Sequence, residues 1–175
     1  MLNSRVKDFY ILFGVAGVSV ALDQWTKWWV RENIVFGGQW LPEWIAWLYP
    51  YARIVHWYNS GAAFGMFQNG NLVFTILAFI VIGAIVYYYP RMEENDWTLR
   101  LAMGLQLGGA MGNLIDRLMM GKVTDFISIG AFPVFNIADA SISVGVAILL
   151  LGVWLKEREE KSKAAMAVVD PAKEG

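Results

Sequence analysis

The eighteen residues from Leu72 to Tyr89 contain no charged side chain, and this run constrains the chain more than any other stretch. A helix rises about 1.5 Å per residue, so the run reaches about 27 Å, close to the thickness of a bilayer core. The rest of the composition agrees: 57% of the 175 residues are hydrophobic, and mean hydropathy is +0.44. The reading is a small polytopic membrane protein. A net charge of −1 leaves no electrostatic footprint for nucleic acid. There is no cysteine and a single histidine, His56. A thiol nucleophile, a disulfide and a Cys-based metal site are therefore excluded, and neither a cofactor nor a metal centre is expected.

Three further spans are expected, at about 9–30, 99–118 and 137–155, making four transmembrane helices with the span at 72–89. Ser19-Val20-Ala21 resembles a signal-peptide cleavage site, but the helical pattern continues through Asp23, Gln24 and Lys27 to Val30, which favours a retained first span. Residues 31–68 carry Gly37, Gly38, Pro42 and Pro50 among many aromatics, and Arg53 to Tyr58 suits a strand. This stretch is expected to be a small β-containing extracytoplasmic region between helices 1 and 2. Its Trp40, Trp44, Trp47, Tyr49 and Tyr51 suit the headgroup layer, with a surface segment over Pro42 to Leu48. Pro90, Arg91, Glu93, Glu94 and Asp96 form a polar turn before the third span. Gly104, Gly108 and Gly112 make a small-residue ridge on that span, against which another helix can pack closely. Residues 1–156 read as one membrane domain, and 157–175 as a polar tail, partly disordered.

Basic residues set the topology. Arg5, Lys7, Arg91, Arg100, Lys156, Arg158, Lys161 and Lys163 outweigh Arg31, Arg53 and Lys122, so both termini are expected in the cytoplasm.

Against this apolar background, Gly121 to Ser143 places two carboxylates, Asp125 and Asp139, fourteen residues apart. Gly130 and Pro133 break any continuous helix between them, so the chain can turn back and bring the two together. Paired carboxylates sharing a site cannot both ionise cheaply, which suits acid–base activation of water. Measured from the cytoplasmic ends, Asp23, Asn113 and Asp139 lie about 21, 22 and 25 Å up their helices, at about 1.5 Å per residue. They share one depth, near the outer boundary, with Asp125 and Asn59 in the adjoining connections. Asp23 and Lys27 are i,i+4 neighbours. Asn113 with Asp116 and Arg117 forms a second polar face, and Asn136 with Asp139 opens the last span. Structural ion pairing would also account for Asp23 with Lys27 and for Asp116 with Arg117. Ionisable groups at this depth mark function, either an intramembrane peptidase or an ion-coupled carrier. A structural adaptor would not need the paired aspartates. The clustering at one boundary, and a second span without charge, favour the peptidase.

Five boxes in order, DQWTK (Asp23 to Lys27), NSGAAF (Asn59 to Phe64), GGAMGNLIDR (Gly108 to Arg117), VTDF (Val123 to Phe126) and FNIADASI (Phe135 to Ile142), closely resemble the lipoprotein signal peptidases. These signal peptidase II enzymes are bacterial membrane aspartyl proteases. The resemblance covers about residues 9–155 and leaves the Trp-rich segment from Gly37 to Tyr51 unmatched. It implies that Asp125 and Asp139 form a catalytic dyad. Asp23, Lys27, Asn59, Gly61, Asn113, Asp116, Arg117 and Asn136 would then support the site or the substrate. It further implies a diacylglyceryl-prolipoprotein substrate cut just before its lipidated cysteine, membrane lipid as surroundings, and inhibition by globomycin-type compounds. The implied location is the bacterial cytoplasmic (inner) membrane, with the site near its outer face.

Overall fold

A computed structural model describes residues 4–61, 70–91 and 96–169. The element order is helix α1 (Ser4–Asn33), strand β1 (Gln39–Trp40), a 3-10 turn (Glu43–Leu48), strand β2 (Ala52–Asn59), helix α2 (Asn71–Tyr88), helix α3 (Trp97–Met120), strand β3 (Val123–Ile129) and helix α4 (Ile137–Val169). Ala62 to Phe64 of the second box and Glu93 and Glu94 of the polar turn lie outside the described residues. Asp96 of that turn is the N-cap of α3, its Oδ1 accepting from the Leu99 N–H at 3.1 Å.

Among the described residues, three helical segments are long and apolar enough to cross a membrane: Phe9–Asn33, Asn71–Arg91 and Ile137–Lys163. Helix α3 is not one of them. It carries Arg100, Gln106, Asn113, Asp116 and Arg117, and it packs against α1, α2 and α4. A helix covered by its neighbours can hold polar groups that a lipid-facing helix cannot.

Close packing follows from glycine. A Cβ at Gly104 would strike Val15, and one at Gly108 would meet Ser19 Cβ at 2.6 Å and Ala16 O at 2.8 Å. Gly109, one residue on, sits against the Ala138 carbonyl of α4. The glycine ridge thus faces α1, while its flank admits α4. Ser19, in the sequence that resembles a cleavage site, is buried within a continuous α1 and donates to Ser141 Oγ at 2.8 Å.

The expected β-containing region between helices 1 and 2 supplies β1 and β2, and the antiparallel sheet, of order β1-β2-β3, takes its third strand from between α3 and α4. Gly121, at φ 69°, ends α3 in the left-handed conformation and releases the chain into β3. Beyond β3 the chain turns at Gly130, and the Phe135 carbonyl accepts from the N–H groups of Phe126 and Ile127. The return leads directly into α4. Trp44 and Trp47, in the 3-10 turn, and Tyr51 are exposed, as the expected surface segment requires.

Helix α4 continues to Val169, with i,i+4 pairs Glu157 to Lys161 and Glu159 to Lys163 along the exposed surface.

The glycine ridge gives a direct test. Gly108→Leu forces a side chain into α1 and should cost about 1–3 kcal/mol, read as a lower thermal midpoint in detergent. Gly83→Leu is the control, since nothing lies within 4 Å of its Cβ position, and it should leave the midpoint near the wild-type value.

Candidate active site

Asp125 comes from β3 and Asp139 from the first turn of α4. Asp125 is 2% exposed, whereas Asp139 is half-buried. Asn136 links them. Its Nδ2 donates to Asp125 Oδ1 at 2.7 Å. Its Oδ1 accepts from the Asp139 N–H at 2.9 Å, and its own N–H donates to Asp139 Oδ2 at 3.3 Å. The last two contacts are a reciprocal capping box, with Asn136 as the N-cap and Asp139 three residues on. One motif therefore starts the helix and sets the geometry of both carboxylates.

The remaining oxygens are also held. Asn113 Nδ2 donates to Asp139 Oδ1 at 2.7 Å. Asn59 Nδ2 donates to Asp125 Oδ2 at 3.1 Å. The strand register explains the second contact: Trp57 is opposite Asp125 and Asn59 opposite Val123, so Asn59 and Asp125 are diagonal neighbours on one face. The Asn59 Oδ1 accepts from the Gly61 N–H at 2.9 Å, which turns its amide nitrogen toward the aspartate. Burial, then the neighbouring Asp139 carboxylate, push the Asp125 carboxyl up to about 7, against the opposing pull of the Asn59 and Asn136 donors and the Lys27 charge.

Behind the pair lies a buried ionic cluster. Lys27 pairs with Asp23 at 2.8 Å and lies 3.4 Å from Asp116, all three essentially inaccessible. Asp23 Oδ1 accepts from the Ala138 N–H at 2.9 Å, and its other oxygen sits where a Cβ on Gly112 would come within 2.6 Å. Asp116 Oδ2 accepts from the Thr124 N–H at 2.9 Å, anchoring β3 beside Asp125. Asp116 therefore does not pair with Arg117, because consecutive helix residues point in different directions. Arg117 instead lines a cavity of about 760 Å³ with Asp125, Asp139, Asn59, Gly61 and Asn113. Phe74, Leu77, Ala78 and Val81 of α2 and Ile142 and Val144 of α4 give the cavity apolar walls.

A family model described as signal peptidase (SPase) II matches residues 6–155. The chain belongs to the signal peptidase II family. It is 40% identical over 148 residues to a lipoprotein signal peptidase of Shouchella clausii, covering 84% of this chain and 95% of that one. It is 35% identical over 165 residues to one from Anoxybacillus flavithermus, covering 92% and 94%. A solved bacterial membrane enzyme superposes with a TM-score of 0.77 at 30% identity, covering 86% of this chain and 90% of that one. This signal peptidase II relative is thus a bacterial membrane protein of a peptidase family.

All the site residues expected from the sequence, Asp23, Lys27, Asn59, Gly61, Asn113, Asp116, Arg117, Asp125, Asn136 and Asp139, belong to this cavity or the cluster behind it. Three more were missed. Gln24 donates to Gly112 O, Asp23 and Asp116 at 3.0, 3.1 and 3.2 Å. Arg31 lies 3.7 Å from Asp116 and donates to Thr124 Oγ1 at 3.1 Å. Thr124 is itself fully buried. Arg31 was detectable: Asp23, Lys27 and Arg31 are spaced i, i+4, i+8 on one helical face.

Proposed function

We propose that this chain is a membrane aspartyl endopeptidase that removes signal peptides from diacylglyceryl-modified prolipoproteins, cutting just before the lipidated cysteine. The observation that carries the reading is the cross-linked pair: Asp125 and Asp139, tied through Asn136, open together onto one cavity. Family membership supports the substrate class, since the relatives named above are lipoprotein signal peptidases. The apolar walls from α2 and α4 suit acyl chains, and Arg117 and Asn59 offer fixed donors to a peptide backbone. A globomycin-type inhibitor would compete for the same cavity.

The chemistry divides between unlike carboxyls. Asp125, with its proton held up to about 7, donates to the scissile carbonyl oxygen. Asp139, whose two oxygens accept N–H donors, takes a proton from the attacking water as the oxygen bonds to the carbonyl carbon. As the resulting diol collapses, Asp139 gives its proton to the amide nitrogen, Asp125 takes one back from a diol hydroxyl whose oxygen re-forms the C=O bond, and the C–N bond breaks. Because the acid must be protonated, kcat/KM falls as pH rises through about 7.

Asparagine is nearly isosteric with aspartate but cannot cycle the proton. Asp125→Asn and Asp139→Asn should each abolish cleavage while leaving insertion intact, and the double variant should be little worse than either. Near-normal turnover by an inserted single variant would refute the dyad.

In this reading residues 1–156 are one integral domain and α3 is the fourth span. Its 24 residues reach about 36 Å. Both termini lie in the cytoplasm, and the dyad lies near the outer face, as the basic asymmetry indicates. The chain lacks cysteine, so single cysteines at the exposed positions Trp44 and Arg91 can report the orientation. An impermeant thiol reagent on intact cells should label position 44 and spare 91, and the reverse pattern would overturn the topology.

A further inference from the structure

Lys27 is fully buried in the C-terminal third of α1, and its ammonium meets three oxygens. They are Asp23 Oδ2 at 2.8 Å, Asn113 Oδ1 at 2.9 Å and Asp116 Oδ2 at 3.4 Å. An ammonium has three donors and no acceptor, so these contacts use its full capacity. Two aspartates suffice to neutralise it. The third contact goes to a neutral amide, and that contact has a direction.

A carboxamide carries oxygen on one side and NH2 on the other. With Oδ1 facing Lys27, Asn113 must turn its Nδ2 the other way, where it donates to Asp139 Oδ1 at 2.7 Å. The same Asn113 oxygen accepts from Asn136 Nδ2 at 3.1 Å, and Asn136 Nδ2 also donates to Asp125 Oδ1 at 2.7 Å. A reversed Asn113 would set an NH2 group against an ammonium and against a second NH2, and an oxygen against a carboxylate. The two amides are thus a relay whose polarity is fixed at its Lys27 end.

We propose that Lys27 is a positioning residue of the peptidase, fixing the direction of the Asn113–Asn136 relay so that both catalytic carboxyls receive N–H groups rather than oxygens. The inference rests on the dyad reading above. Lys27 acts through Asn113 and needs no contact with the substrate, so its loss should appear in kcat rather than KM.

A pH profile supplies a readout that simple scaffolding would not move. Asp125 on β3 is faced by Asp139 from α4, Lys27 from α1 and Arg117 from α3, and by the neutral donors of Asn59 and Asn136. The Lys27 charge and the Asn136 donor both favour ionised Asp125. Removing the charge and loosening the relay therefore act in the same direction, raising Asp125 further and moving the alkaline limb of kcat/KM to higher pH.

The test uses the full chain, purified in detergent, with a lipidated prolipoprotein. Lys27→Met should lower kcat by about 10- to 100-fold, leave KM within about twofold and move the alkaline limb upward. Since that variant leaves Asp23 without its cation, while Asp116 keeps Arg31, Lys27→Met combined with Asp23→Asn is measured beside it. The double variant removes the ion pair as a unit and keeps an acceptor for the Ala138 N–H. It should show the same three changes. An alkaline limb at its wild-type position, in either variant that melts like the wild type, overturns the inference. Absence of cleavage by the wild-type chain overturns the dyad reading and this inference with it, whereas wild-type cleavage with an unmoved limb overturns this inference alone.

Discussion

Most of this molecule is arranged around one fully buried ion pair, Lys27 with Asp23, carried by α1, one of the three described helices long and apolar enough to cross a membrane. A buried charge left alone is costly, and breaking such a pair typically costs about 3–5 kcal/mol. Each partner is therefore tied to a different part of the fold. Asp23 receives the Ala138 N–H and so positions the start of α4. Lys27 reaches Asn113 and Asp116 on α3, and Asp116 receives the Thr124 N–H of β3. The elements that carry Asp125 and Asp139 are thus both referenced to one helix.

Helix packing makes this network possible. Asp23 sits where a Cβ on Gly112 would clash, so the ridge that brings α1 against α3 also leaves room for the carboxylate. The Asn136 to Asp139 capping box then serves two purposes with the same atoms. It satisfies the N-terminal backbone of α4, and it holds two aspartates in unlike surroundings, one buried and one half-exposed. Unlike surroundings allow one carboxyl to keep a proton while its partner accepts one.

Much of this was legible in the sequence, for identifiable reasons. The apolar runs and the glycine ridge depend on local periodicity, and the boxes around Asp23, Asn113 and Asp139 lie on helices whose spacing can be counted. Strand β3 was not legible. Val123 to Ile129 is short and buried on nearly every residue, so it shows no alternation, and its partner β2 is far away in sequence. Arg31 was counted only as a charge outside the membrane, whereas its side chain turns back onto Asp116 and Thr124. The helical continuation of α4 was obscured by its charge, although Glu157 with Lys161 and Glu159 with Lys163 are spaced to support a helix.

The central claim is that this cavity cuts a peptide bond whose position is set by lipid. Its most direct measurement uses one prolipoprotein in two forms, with and without the diacylglyceryl group, incubated with the purified chain and read by the mass of the products. A single cut just before the lipidated cysteine, with the unlipidated form left intact, is the expected result. Equal cleavage of both forms, or cleavage of neither, would contradict it.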